Sequence, residues 1–347
     1  MTPCPFNLRE IKFTCYSEVS TPPWHSILRQ LHGSPNLMSV HLNFSSRVVT
    51  DAKDFFVFLE SLARQHPRVT DLLVWPHCVN NSPWLDLRSH VQSMCTHFTH
   101  LVHLNLSLGG LDSAGVITVL ETLHLPSLRD FRLRISYSHV YDTQCPIQPQ
   151  FPCPPCLRCL TTLHLKLGHR IPPGALQPWL ENGPQCLTDL LLTFSESNTD
   201  PMTWEATKLV RRNQRTLRTL VLHNLTLNAN HCDASRLAAA LHLRRCTMLE
   251  TLSLLQPLGR HRINHFLDEV PHTLRTLDIR VNDGGSAPSM VIHIPAFVAR
   301  LRLHVPHVTR DTLPGMGWLG LPPSWWQLDM SHQTAILQGL DWVVKER

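Results

Sequence analysis

The sequence predicts an α/β fold of the repeat type. The expected shape is a solenoid curved into a horseshoe, with a parallel β-sheet on its concave face and helices or loops on its convex face. Three observations predict it. A six-residue unit, apolar-x-x-apolar-x-apolar, recurs twelve times from Leu8 to Met330. Consecutive units start 24 to 32 residues apart, an even register along nearly the whole 347-residue chain. The apolar content is 43% against 16% charged residues, and it falls mainly on leucine rather than on aromatics at 7%.

The units begin at Leu8, Leu37, Val69, Leu101, Leu128, Leu160, Leu187, Leu217, Leu249, Leu274, Val298 and Trp325. In each, the second and third apolar residues are two apart, so on an extended backbone both point to the same side. One short strand cannot bury such a side alone. Stacked neighbours bury it together, which requires a parallel sheet and a return segment across the other face.

Most return segments carry helix-start signals. Thr21-Pro22-Pro23 precedes a run from Trp24 to Leu31, and Asp51 precedes one through Ala63. Ser82-Pro83 introduces Trp84 to Met94, Asp112 introduces Ser113 to Leu123, and Pro172-Pro173 introduces Gly174 to Leu180. Asp200-Pro201 leads into Met202 to Arg212 and Asp233 into Ala234 to Leu243, with a further helix expected from Arg262 to Glu269. An Asp or Ser before a first-turn Pro satisfies the free N–H groups of a helix start. Residues 282–296 and 305–324 are rich in Pro and Gly and read as loops or short turns. Within 331–347, Gln333 to Lys345 reads as an amphipathic helix that caps the solenoid end through Trp342.

This pattern resembles the leucine-rich-repeat family over residues 8 to about 330, nearly the whole chain. Unit length and helical returns are most similar to the ribonuclease-inhibitor-like and F-box-associated subclasses. The family often places Asn or Cys eight residues after the leading leucine. Here only Asn282 fits, and Ser45, His77, Gly109, Ser136, Gly168, Ser195 and Leu225 stand at other such positions. The resemblance implies one solenoid domain over residues 1–347, of about twelve repeats, whose concave face holds a macromolecular partner. It also implies a substrate-recruiting role in a complex of the ubiquitin-ligase type.

Several function classes drop out on composition. The net charge of +5, with 31 Lys and Arg, decides nothing about nucleic-acid binding by itself. No stretch approaches the ~20 apolar residues of a membrane span, and the first residues show neither the apolar run nor the cleavage site of a secretory signal. Eleven cysteines without framework spacing read as reduced thiols, so a cytoplasmic chain is expected, the nucleus being the other compatible compartment. No nucleophile-elbow, phosphate-loop or zinc-protease motif occurs, so the chain is expected not to be an enzyme and to carry no cofactor. Its oligomeric state is left open.

Cys145, Cys153, Cys156 and Cys159 are the one candidate metal cluster. Four soft ligands at C-x7-C-x2-C-x2-C would suit tetrahedral zinc in a proline-rich loop. Reduced thiols in that loop are the reading preferred here, so no metal is expected.

The candidate binding residues are those flanking the inward leucines, which face outward on the strands. They place a basic cluster at Arg132, Arg134, His164 and Lys166, and another at Arg280, Arg300, Arg302 and His304. Leu191, Val221 and Leu255 form an apolar centre between them, and Leu73 with Trp75 forms a smaller apolar spot. Apolar groups rimmed by arginine are what protein interfaces use. The function expected is therefore a non-catalytic protein-interaction scaffold. The second reading is an RNA or polyanion surface using the same arginines, and it lacks aromatic stacking partners.

Overall fold

A computed structural model describes residues 8–15, 24–44, 49–75, 77–79, 84–109, 111–135, 150–168, 175–194, 201–223, 241–259, 271, 273–282, 289–293 and 344–346. The chain divides into two compact units, Met1–Cys186 and Leu187–Arg347.

The first unit runs β1 (Glu10–Cys15), α1 (Trp24–Leu31), β2 (Ser39–Phe44), β3 (Val49–Asp51), α2 (Ala52–Gln65), β4 (Asp71–Trp75), β5 (His77–Val79), α3 (Trp84–His97), β6 (His103–Ser107), α4 (Ser113–Thr122), β7 (Asp130–Ile135), β8 (Thr162–Leu167) and α5 (Gln177–Asn182). Strands β1, β2, β4, β6, β7 and β8 lie side by side in that order, all parallel. They are six of the predicted repeat units. Their inward residues, from Val40 and Leu42 to Leu163 and Leu165, are at most 2% exposed, as are the leading residues Leu37, Val69, Leu101, Leu128 and Leu160. At each strand entry one carbonyl receives two consecutive N–H groups from the next repeat. Arg9 O accepts from Met38 and Ser39, Met38 O from Thr70 and Asp71, and Thr70 O from Val102 and His103. That repeating bond ladder holds the strands in register and satisfies the backbone as the chain enters the sheet.

The helices form where caps and apolar spacing dictate. Asp51 Oδ1 accepts from Lys53 N at 2.7 Å to start α2, and Asp112 Oδ1 accepts from Gly115 N at 2.9 Å to start α4. Helix α2 buries Phe55, Phe56, Phe58, Leu59 and Leu62 at the helical period and leaves Val57 outward. Trp24 of α1 stacks on Phe58 at 4.5 Å and meets Phe44 edge-on at 5.0 Å, tying two returns to β2. Between α2 and α3, Glu60 is gripped by Arg64, by Ser93 Oγ at 2.8 Å and by His90 Nδ1 at 2.6 Å. Burial alone would raise its carboxyl, but those bonds outweigh it and hold Glu60 below the usual carboxylate range.

The second unit runs β9 (Asp189–Phe194), α6 (Pro201–Arg212), β10 (Thr219–His223), β11 (Thr251–Gly259), β12 (Thr276–Asn282), β13 (Ser289–His293) and β14 (Val344–Glu346), with a 3-10 turn at Leu243–Arg245. Strands β9 to β12 are parallel neighbours and continue the predicted repeat register. Asn213 is 1% exposed and takes over the turn before β10, accepting from Leu187 N at 3.0 Å and donating to Leu209 O at 3.0 Å.

Four expectations need correction. Ser289–His293, expected as loop, is a strand, because Met290 and Ile292 in Ser-Met-Val-Ile-His alternate like any strand despite the flanking Gly and Pro. It pairs antiparallel with β12 and takes the edge that the Val298 unit was expected to occupy, so parallel stacking stops at β12. Val344 and Lys345 lie in β14, so the capping helix does not reach Lys345; the β-branched Val344 suits a strand. Helix α5 starts at Gln177 rather than Gly174, with Ala175 and Leu176 in a turn, and ends at Gly183, where a Cβ would lie 2.0 Å from Trp179 O. The units at Val298 and Trp325, the helices at 262–269 and 333–343 and the loop 305–324 lie outside the described residues. Sequence periodicity also missed β3 and β5, a separate parallel pair too short to show a pattern.

Candidate functional site

Alternation of side chains puts three outward residues on each strand of the first unit, and the parallel register aligns them into three rows. The first row is Glu10, Ser39, Asp71, His103, Asp130 and Thr162. The second is Lys12, His41, Leu73, Asn105, Arg132 and His164. The third starts with Thr14, Asn43 and Trp75 and ends with Ser107, Arg134 and Lys166. Neighbours in a row stand about 4.8 Å apart, the spacing of adjacent strands.

The face is electrically polarised. Acids cluster in the first row and are tied to their neighbours. Glu10 pairs with Lys12 at 2.8 Å, and that hydrogen bond lowers the carboxyl and raises the amine. Asp71 Oδ2 meets His41 Nε2 at 2.9 Å and accepts from Ser39 Oγ at 3.0 Å. Asp130 accepts from Arg132 on its own strand at 3.1 and 3.3 Å, with His103 Nδ1 at 3.6 Å. Arg134 and Lys166 are both exposed, lie directly opposite each other, and have no ion pair among the described residues. Of the predicted basic cluster, then, Arg132 is internally neutralised and His164 is half-buried beside it, while Arg134 and Lys166 remain as the free charge.

Trp75 is 41% exposed, and its indole N–H donates to Asn105 Oδ1 at 2.8 Å. With its one donor satisfied, the ring is fixed as an apolar plate on the outer face. Leu73 lies half-buried beside it in the second row. His41, Asp71, Leu73, His103, Asn105, Asp130 and Arg132 line a depression of about 340 Å³. Ser39, His41 and Asp71 are close, but the Ser39 hydroxyl donates to Asp71, and Ser39 and His41 share one carboxylate oxygen. Ser39 Oγ lies 3.2 Å from His41 Nε2, the same ring nitrogen that meets Asp71, whereas a serine–histidine–aspartate triad uses the two ring nitrogens separately.

In the second unit, Leu191 and Val221 are half-buried neighbours in one row that continues through Ser253 and Asp278. Leu255 stands opposite His223 in the register, one row over from Leu191 and Val221. A register shift between Leu254 and Pro257 then sets Arg280 opposite Pro257. Arg300, Arg302 and His304 lie outside the described residues.

Cys145 also lies outside them, and the three described cysteines of that group do not converge. Among the described residues no three His, Cys, Asp or Glu side chains are grouped to hold a metal. Pro155–Cys159 forms a 3-10 turn in which Cys156 Sγ donates to Leu123 O at 3.7 Å while Cys159 is exposed. Burial raises the Cys156 thiol. Burial likewise pushes Cys95 up to about 12 and Cys246 up to about 11, which keeps both as unreactive thiols. Among the described residues the alternation in the sequence places most of the predicted residues on the outward rows, with Ser107 and Ser253 buried instead. Sequence reasoning missed the acidic first row as a unit and the Trp75–Asn105 bond, both of which depend on cross-strand register.

No family model and no curated protein matches the chain. A solved structure similar to it is a leucine-rich repeat-containing protein, LegL7 from Legionella pneumophila, at 11% identity and a TM-score of 0.37, covering 79% of this chain and 92% of that one. No helix among the described residues is long and apolar enough to cross a membrane.

Proposed function

We propose that the sheet face of the first unit docks an acidic segment of a protein partner and that the chain is a non-catalytic interaction scaffold. The adjacent Arg134 and Lys166, with no ion pair among the described residues, carry this reading. Like charges directly opposite on neighbouring strands destabilise a sheet, and a bound anion offsets that cost. Two strands away, about 10 Å at the usual strand spacing, Trp75 offers an apolar anchor of the type that dominates interface energetics. An extended segment covers ~3.3 Å per residue, so an apolar residue on Trp75 and a carboxylate or phosphate at Arg134 would be about three residues apart.

The bound acids of the first row disfavour the RNA reading at this face. A polyanion laid across the sheet would meet Glu10, Asp71 and Asp130 as well as the two free cations. The finer role, substrate recruitment in a ubiquitin-ligase-type assembly, is supported by the family resemblance of the repeats and by no residue of the site.

The test is affinity capture after nuclease digestion, comparing wild type with Arg134→Glu/Lys166→Glu. A protein partner lost from the variant, with the unfolding midpoint unchanged, is expected. Retention of every partner by the variant would remove the sheet face from the account.

A further inference from the structure

Residues 201–275 carry eleven Lys and Arg against five Asp and Glu, so this segment alone exceeds the net charge of +5 of the whole chain. The structure gathers much of that charge on the strand-entry edge of the second unit. The last turn of α6 presents exposed Arg211 and half-buried Arg212, while Leu209 and Val210 beneath them are buried. Exposed Arg215 follows in the turn and exposed Arg218 just before β10. In the next repeat the 3-10 turn exposes Arg244 and Arg245, and exposed Arg275 precedes β12. The entry ladder aligns these repeats: Glu250 N donates to Arg218 O at 2.8 Å and Arg275 N to Glu250 O at 2.7 Å. The carboxylates with described side chains in this unit are Asp189 and Glu250. Asp189 accepts from Thr188, and Glu250 stands 3.8 Å from Arg218. Arg211, Arg215, Arg244, Arg245 and Arg275 have no acidic partner among the described residues.

We infer that this arginine edge binds the phosphodiester backbone of a nucleic acid, independently of the first unit's sheet face. Cations at a helix C-terminus stabilise its dipole, which accounts for Arg211 and Arg212. It does not account for Arg215 or for Arg218 and Arg275 at strand entries. Ten of the eleven basic residues in the segment are arginine, whose planar fork matches phosphate oxygens two at a time. An acidic protein would need apolar or aromatic anchors, and Met248 is the sole large apolar side chain exposed among the described residues of this unit. A polar, strongly positive surface with no exposed large aromatic ring among the described residues of this unit suits a phosphate backbone bound without reading bases.

The test titrates the full chain against fluorescein-labelled 20-mers, one duplex and one single-stranded, and against a polyglutamate peptide of equal charge, from 50 to 200 mM salt. Duplex binding at least as tight as single-strand binding is expected, and both tighter than polyglutamate. With four phosphates neutralised, duplex affinity should fall on the order of a hundredfold over that range. Arg244→Gln/Arg245→Gln should make the slope shallower by about two, at roughly 0.9 per phosphate, with the unfolding midpoint unchanged. A flat salt response, polyglutamate binding as tight as the duplex, or an equal loss from Arg134→Gln/Lys166→Gln would overturn the assignment.

Discussion

Arg134 and Lys166 occupy paired positions on β7 and β8, two cations face to face with no described carboxylate in reach. The fold gains nothing from this pair. Replacing Arg134 by Gln should therefore stabilise the chain by a few tenths of a kcal/mol, within the 0.2–1 kcal/mol range of cross-strand pairs. The same change should weaken partner binding. Urea unfolding and a binding titration on one variant check both signs, and a destabilised variant would mean the pair has a structural role.

Trp75 gives the complementary case. Its ring is 41% exposed and contributes little to the core, so Trp75→Ala should shift the unfolding midpoint only slightly. As an interface anchor it should cost about 2 kcal/mol of binding, or roughly thirtyfold in Kd. Asn105→Ala should give a smaller loss, because it frees the indole without removing it. Isothermal titration with the captured partner reads both.

Acid should act on the first unit in two windows. His66 is 3% exposed, and burial lowers its imidazole below the ordinary value, with His32 adding to the effect and a Ser34 backbone group opposing it. A depressed histidine takes up its proton more readily in the unfolded chain. Its contribution is fully present above the unfolded value of about 6.5 and is lost as pH falls toward the lower folded value. Glu60, also depressed, contributes above its unfolded value of about 4.3 and is lost below it. Urea midpoints from pH 7.5 to 3.5 should fall in both windows. His66→Leu should flatten the upper one alone, and an unchanged upper slope would contradict the assignment.

Gly183 marks where backbone geometry rather than packing decides a residue. A Cβ there meets Trp179 O at 2.0 Å, so Gly183→Ala must unwind or shift the end of α5. Overpacking of this kind costs about 1–3 kcal/mol. Asp112→Ala, which removes only the cap of α4, should cost about 1 kcal/mol. Thermal denaturation ranks the two.

The repeats were legible because a two-residue alternation and a leading leucine suffice to specify each strand of β1, β2, β4 and β6 to β12. Helix starts at Asp51 and Asp112 were legible for the same local reason, a side-chain oxygen beside free N–H groups. What the sequence hid is relational. The tie of Arg132 to Asp130 and the exposure of the Arg134–Lys166 pair depend on cross-strand register and rotamer choice. The reversal at β13 depends on competition between two apolar segments for one sheet edge. The arginine edge escaped notice because its residues sit in turns and helix ends, outside the strand positions that the periodicity marks.

The most direct test of the docking face is photocrosslinking with a benzophenone side chain introduced at Asn43 or Thr162 on the sheet face, and at Val57 on the outer side of α2 as control. After nuclease treatment, the sheet-face probes should capture an acidic protein segment that the Val57 probe does not. Adducts from Val57 alone, or a captured segment without acidic residues, would contradict the account.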